Sequence, residues 1–325
     1  MTPEQRTAWL EERRTGIGGS DAAAAVGLSK WRTPLELFLD KRGELETAEN
    51  EPMLWGHLLE PVIRQEYANR TGRTVSVPEG IIRHPTVQFA LMTPDGIADG
   101  SRVLQVKTAR TADGWGEEGS GDIPQEYVLQ TQHEMFVTGL PVADVAVLIG
   151  GSDFRLYIVE ADADLQAMLI EQERQFWSMV QANEPPAPVS REDVKRRWKF
   201  STARKAEISA DDAGKAMVLR QWKDIAKQLE ERIDGLTAEL QSVMGDAGEL
   251  VNEDGDVLAT WKNVNASRRF DMERFKADHP DVFSQYLRDA APQRRFLLKV
   301  KGDSVCLPQL PNGRILPKLE PASAE

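Results

Sequence analysis

Apolar residues recur every three to four positions at Leu54, Leu58 and Val62 and at Leu59 and Ile63, predicting a helix over 53–70 that stops at Gly72. A first helix is predicted at 3–14, and a second opens at Ser20-Asp21, whose oxygens suit capping of the amides of residues 22–25. Thr33-Pro34-Leu35-Glu36 supplies N-cap, N1 proline and N3 glutamate, so a helix starts there and runs to Gly43. Short stretches at 74–77, 81–83, 88–92 and 103–107 predict strands. Pro124 opens a helix ending before Gly139; strands at 144–149 and 154–159 and a helix at 162–181 follow. This order predicts an α/β fold with a mixed central sheet flanked by helices.

Proline continues neither helix nor sheet, so Glu184-Pro-Pro-Ala-Pro-Val-Ser190 reads as a linker. It divides the chain into a core at 1–184, a linker at 185–191 and a mainly helical accessory domain at 192–325. The accessory part begins with the basic stretch 195–205, which interleaves cations with Trp198 and Phe200 as single-strand binders do. A long helix at 211–244 carries Leu229, Ile233, Leu236 and Leu240 at helical spacing, a stripe suited to helix packing. A hairpin around Asp254-Gly255, helices at 271–277 and 281–289, a strand at 295–300 and a flexible Pro-rich tail complete the expectation.

Composition adds exclusions. The 325 residues are 41% hydrophobic and 28% charged, a globular balance. No apolar run approaches the roughly 18 residues of a membrane span, and the N-terminus lacks the apolar core of a secretory signal. A single cysteine, Cys306, excludes an intrachain disulfide and a Cys-rich zinc module. A cytoplasmic protein without a membrane partner is expected. The net charge of −12 speaks against a nucleic-acid partner until it is divided. Residues 1–190 hold 16 basic and 29 acidic side chains (−13), whereas 191–325 hold 24 and 23 (+1). An acidic domain still binds phosphates through a divalent cation and a locally basic groove, so charge leaves the partner open.

Candidate chemistry gathers at Glu60, Asp95, Gln105 and Lys107. Asp99-Gly100 marks a turn between strands. A three-residue loop at 99–101 puts Asp95 opposite Gln105 on one face; a two-residue loop puts it opposite Leu104 and turns Gln105 away. The chemistry prefers the first. Gln105 and Lys107 alternate around Val106 and point the same way, and Glu60 offers a second carboxylate from a preceding helix. Hard oxygen donors of this kind suit Mg²⁺ or Mn²⁺.

Five motifs surround these residues in order: Arg13-x-x-Gly-Ile-Gly-Gly-Ser-Asp21; Gly56-x3-Glu60-Pro61; Thr93-Pro94-Asp95-Gly96; Gln105-Val-Lys107-Thr; and Ile123-Pro-x-x-Tyr127-x-x-Gln130-x-Gln132-x-x-Met135-x-x-Thr138-Gly139. Together they resemble the YqaJ-type viral recombinases, the group that includes bacteriophage lambda exonuclease, in the PD-(D/E)xK nuclease superfamily. The resemblance implies a restriction-endonuclease-like core and a metal-dependent 5′→3′ exonuclease on linear double-stranded DNA ends. Its 3′ single strands would serve a single-strand annealing protein. It further implies a homo-oligomer in the form of a trimeric ring, encoded by a phage or prophage and working in the bacterial cytoplasm. Glu60, Asp95, the 105 position and the Val106 carbonyl would hold two Mg²⁺ ions, with Lys107 as the catalytic lysine. Arg13, Ser20 and Thr93 would meet the 5′-terminal phosphate, with Tyr127 and Gln130 beside the DNA. Position 105 departs from the pattern, since the family usually has glutamate there. A tolerated natural variant, an engineered trap and a degenerate nuclease each fit that difference. A DNA-end-binding module and a structure-selective endonuclease on the same core stand as rivals.

Overall fold

Thr33 Oγ1 accepts the Glu36 amide at 3.1 Å and the Glu36 carboxylate accepts the Thr33 amide at 2.9 Å, so the expected capping box starts α3 (Pro34–Lys41). The computed structural model describes residues 3–45, 50–264, 268–288 and 294–299. Before α3 lie α1 (Pro3–Arg13) and α2 (Gly19–Ala25). The expected cap of α2 differs: Gly18 is the N-cap, and the Asp21 carboxylate reaches back to its amide at 3.1 Å. Asn50 caps α4 (Glu51–Thr71) by accepting the Met53 amide at 3.0 Å, and Gly72 ends it in the left-handed region at φ +68°.

Among the described residues before the Pro-rich stretch, seven strands follow as β1 (Val75–Ser76), β2 (Ile82–Arg83), β3 (Leu91–Met92), β4 (Gly96–Ala98), β5 (Arg102–Ala109), β6 (Val142–Ile149) and β7 (Asp153–Glu160). Five form the central sheet in the order β1-β4-β5-β6-β7, while β2 and β3 pair separately. β5 and β6 are parallel, a pairing that needs a crossover, and α5 (Gln125–Thr138) lies on it. α6 (Ala163–Ala182) completes the mixed α/β architecture that the sequence predicts. β4 was not expected; it is only Gly96, Ile97 and Ala98. Its register, Ala98 opposite Arg102, leaves the three-residue loop 99–101, with Asp99 and Gly100 at φ +49° and +65°. One step further along this register places Asp95 opposite Gln105.

α4 covers one face of the sheet by setting Ile63 and Tyr67 against Leu104, Val106 and Ala146. On the other face, Val103, Val145 and Val147 pack with Met135 and Val137 of α5 and Ile170 and Phe176 of α6. Buried apolar side chains of this size contribute about 1.5–3 kcal/mol each. Most of α5 is enclosed, and the run Gln130-Thr-Gln-His-Glu134 is buried throughout.

His133 shows how such a residue is accommodated. Its Nε2 faces the Leu91 carbonyl at 2.9 Å, an acceptor only, and Nδ1 faces both oxygens of buried Glu173 at 2.8 and 3.0 Å. Both nitrogens therefore carry hydrogens. Burial works against the charged ring, and the Glu173 carboxylate, together with the Leu91 carbonyl and Glu134, outweighs it and raises the His133 pKa. A raised histidine contributes stability that is complete below the unfolded value, about 6.5, and lost as pH rises through the folded one. Glu173→Gln is expected to remove that alkaline decline from a plot of melting temperature against pH. An unchanged slope would show that the pair plays no part in it.

The chain divides into compact units after Trp198 rather than at the Pro-rich stretch. The physical reason is α7 (Arg191–Arg197), which belongs to the first unit. Thr33 Oγ1 donates to Asp193 at 2.8 Å, and Arg196 pairs with Glu36 at 2.5 Å. The second unit holds α8 (Ala210–Met244), capped by Ser209, the hairpin β8 (Glu249–Val251) with β9 (Val257–Thr260), α9 (Met272–Asp278) and α10 (Pro280–Gln285). The expected stripe Leu229, Ile233, Leu236 and Leu240 is exposed on α8. The expected strand at 295–300 is not formed over 294–299. Cys306 and the expected tail lie outside the described residues. Among the described residues no helix is long and apolar enough to cross a membrane.

Candidate active site

β5 ends beside the N-terminal half of α5, and their side chains form one hydrogen-bonded net. Lys107 Nζ donates to Gln130 Oε1 at 3.0 Å and lies 5.1 Å from the centre of the Tyr127 ring. Gln130 Nε2 donates to Gln105 Oε1 and to Glu134 Oε1, both at 2.9 Å. Gln105 Nε2 donates to Glu134 Oε2 at 2.6 Å. Tyr127, Gln130 and Glu134 follow i, i+3, i+7 spacing and so share one stripe of the helix.

Asp95 follows β3 by a short loop that also carries Thr93. Its Oδ2 accepts the Val106 amide at 2.8 Å. Burial pushes the Asp95 carboxyl up, against the pull of Lys107 and that amide. Burial, with the Asp95 charge nearby, pushes Glu134 up to about 7. Glu60 is held by Arg64, which bridges from its Oε1 at 2.8 Å to the Asp95 carbonyl at 2.6 Å.

A second corner is built by α1 and α2. Arg13 donates to Ser20 Oγ at 2.8 Å, and its guanidinium lies over the Trp9 ring, 4.9 Å from the centroid. Below it the buried pair Asp21 and Lys41 meet at 2.6 Å, and Lys41 also donates to the Arg13 carbonyl at 3.0 Å. Arg13 is thus anchored through its backbone and aimed through its side chain.

A cavity of about 850 Å³ joins the two corners, lined by Arg13, Ser20, Glu60, Thr93, Asp95, Val106, Lys107, Tyr127, Gln130 and Glu134, among others. All the site residues expected from the sequence meet there except one. Gln105 does not line the cavity, whereas its partner Glu134 does; both are buried, at 1% and 2% exposure. Among the described residues no three His, Cys, Asp or Glu side chains stand grouped as a ready cation cage. Arg6, Trp9 and Trp31 also line the cavity and went unread in the sequence, although 6, 9 and 13 make a helical stripe. Trp115, on the Gly-rich loop that follows β5, is buried between Tyr127 and Tyr157. The basic stretch after the linker is partly spent on structure: Arg197 donates to the Pro185 carbonyl at 2.9 Å, as Arg196 does to Glu36.

Comparison with known proteins adds a family. The model of the YqaJ-like viral recombinase domain matches residues 8–141. A Bacillus subtilis (strain 168) protein described as uncharacterized protein YqaJ is 34% identical over 309 residues, spanning 90% of this chain and 94% of its own. Among solved structures, the alkaline exonuclease LHK-Exo of Laribacter hongkongensis aligns with a TM-score of 0.45 at 22% identity, over 59% of this chain and 97% of that one. A phage related exonuclease from Haemophilus somnus 129PT aligns with a TM-score of 0.38 at 10% identity, over 52% and 96%. With one position in three shared across nine-tenths of its length, and the domain model spanning both corners of the cavity, this chain belongs to the family of YqaJ-like viral recombinases.

Proposed function

We propose that the chain is a Mg²⁺-dependent 5′→3′ exonuclease that digests one strand from the ends of linear duplex DNA and leaves 3′ single strands. One observation carries this reading: acidic oxygens and the Lys107 ammonium face the same cavity as the Arg13–Ser20 pair. The donor set fits a hard cation, since every candidate donor is oxygen. Mg²⁺ keeps several waters and takes one or two carboxylates, so a complete protein cage is not required. Asp95 would hold it, with the Val106 carbonyl and with Glu60 once released from Arg64. Mg²⁺, or Mn²⁺ in its place, would supply an acidified water and neutralise charge at the leaving oxygen.

The chain's own residues do the rest. Gln130 and the Tyr127 face hold the Lys107 ammonium in place to orient the attacking water and offset charge on the phosphate. Arg13 presents a planar donor fork, which matches a terminal phosphate, and Ser20 adds a hydroxyl. The family resemblance extends the proposal to a trimeric ring and to a single-strand annealing protein that takes up the 3′ strands.

Substrate choice tests the reading. A linear duplex should be digested and a covalently closed circle of the same sequence left intact. Nicking of the circle would favour the structure-selective endonuclease. Arg13→Ala is expected to lower kcat/KM on 5′-phosphorylated ends about tenfold or more, the worth of a charged hydrogen bond, and to act little on 5′-hydroxyl ends. Equal losses on both ends would remove Arg13 from phosphate recognition.

A further inference from the structure

Position 105 holds an amide where the family resemblance implies a carboxylate, and that amide is engaged on both its polar atoms rather than turned to the cavity. Its oxygen accepts from Gln130 at 2.9 Å and its nitrogen donates to Glu134 at 2.6 Å. The Glu134 carboxylate is held by two amides, and each of its oxygens retains a lone pair. Unlike Gln105, it lines the cavity together with Asp95 and Lys107.

A second feature converges on the same group. A Cβ added at Gly19 would overlap the Glu134 carboxylate, so the glycine lets α2 close against it. Glycine at 19 and glutamine at 105 are thus both fitted to a glutamate at 134. A glutamate at 105 would set two buried carboxylates within hydrogen-bond distance, and they could not both ionise.

We propose that Glu134 is a carboxylate ligand of the divalent cation, replacing from α5 the group that β5 lacks at position 105, with Gln105 as the positioning residue that holds it. The assignment rests on the nuclease reading above for the presence of a cation, and it places Asp95 and Glu134 as the carboxylate pair. The amide at 105 is then one half of a relocated ligand and not a sign of decay. Gln130 links the pair to Lys107, so ligand and ammonium are set by one net.

The test is Mn²⁺ binding by the full chain, followed by electron paramagnetic resonance, beside digestion of linear duplex and the metal-free melting temperature. Glu134→Gln preserves shape and is expected to weaken Mn²⁺ binding at least about tenfold while the metal-free melting temperature holds. Gln105→Met is expected to weaken it about 10- to 100-fold, as loss of a ligand's supporting hydrogen bond does. Wild-type Mn²⁺ affinity in Glu134→Gln would overturn the assignment, as would a loss no greater than its drop in metal-free stability explains. A wild-type chain that binds no Mn²⁺ overturns both this and the nuclease reading. A wild-type chain that binds Mn²⁺ and cuts, alongside a Glu134→Gln chain that does both equally well, overturns the ligand assignment alone.

Discussion

Lys107→Ala is expected to lower the rate of strand digestion by about 10²–10⁴-fold, the range for removing a positioned proton-handling group. The lysine sits at the end of β5 with its ammonium 3.0 Å from Gln130 and against the Tyr127 ring, so its position is fixed before any substrate arrives. Fixed charge stabilises a developing charge without reorganising at the moment of reaction. The loss should therefore appear in kcat, with DNA-end affinity and Mn²⁺ affinity within a few-fold of wild type. Single-turnover digestion at saturating DNA separates these terms. A loss confined to KM would make Lys107 a phosphate contact instead. Gln130→Leu should reproduce part of the kcat effect, because it frees the ammonium without removing it.

Asp21→Asn is expected to cost about 3–5 kcal/mol of folding stability, since it strands the buried Lys41 ammonium. Both side chains are almost fully enclosed, and Arg13 and Arg32 stand within 4.0 Å of the same carboxylate. Burial alone would raise the Asp21 pKa; Lys41, Arg13 and Arg32 reverse that and hold it well below the usual carboxylate range. A depressed carboxyl contributes stability that is present above the unfolded value, near 3.9, and lost as pH falls through the folded one. Urea denaturation at neutral and acid pH checks both points. The double substitution Asp21→Asn/Lys41→Met should cost less than the single one, because the fully enclosed ammonium leaves with its partner, while Arg13 and Arg32 reach solvent and Arg32 keeps Asp40. Equal costs would mean that the ion pair is not what Asp21 supplies.

Elements with a clean period or a strong cap were legible in the chain. α3 follows from its capping box, α4 from its stripe, and β6 and β7 from their apolar runs. β4 escaped because three residues that include Gly96 carry no pattern; only pairing with β5 makes them a strand. The start of α2 escaped because its N-cap is Gly18, which has no side chain to read; the Asp21 carboxylate caps from inside the helix, back to the Gly18 amide, while it also meets Lys41 and the arginines. Most of the site could be read because its residues lie in ordered motifs, and the three-residue loop at 99–101 resolves the register left open by sequence. Glu134 was hidden for a physical reason. Five consecutive polar residues on a helix look solvated, and nothing local shows that Gln130, Gln132, His133 and Glu134 each find a hydrogen-bond partner within the fold. The signal that could have found it was the i, i+3, i+7 stripe of Tyr127, Gln130 and Glu134 beside the departure at Gln105. The division at Trp198 was missed because the linker's prolines are visible in sequence and the docking of Asp193 and Arg196 on α3 is not.

The most direct measurement is digestion of a 5′-phosphorylated linear duplex by the full chain, labelled at either the 5′ or the 3′ end of one strand, in Mg²⁺ and in a chelator. The account predicts that the 5′ label is released early as mononucleotide, that the 3′ label stays in a long single strand, and that the chelator stops both. Intact strands in Mg²⁺ and in Mn²⁺, with duplex ends still bound, would contradict it and leave a DNA-end-binding protein in its place.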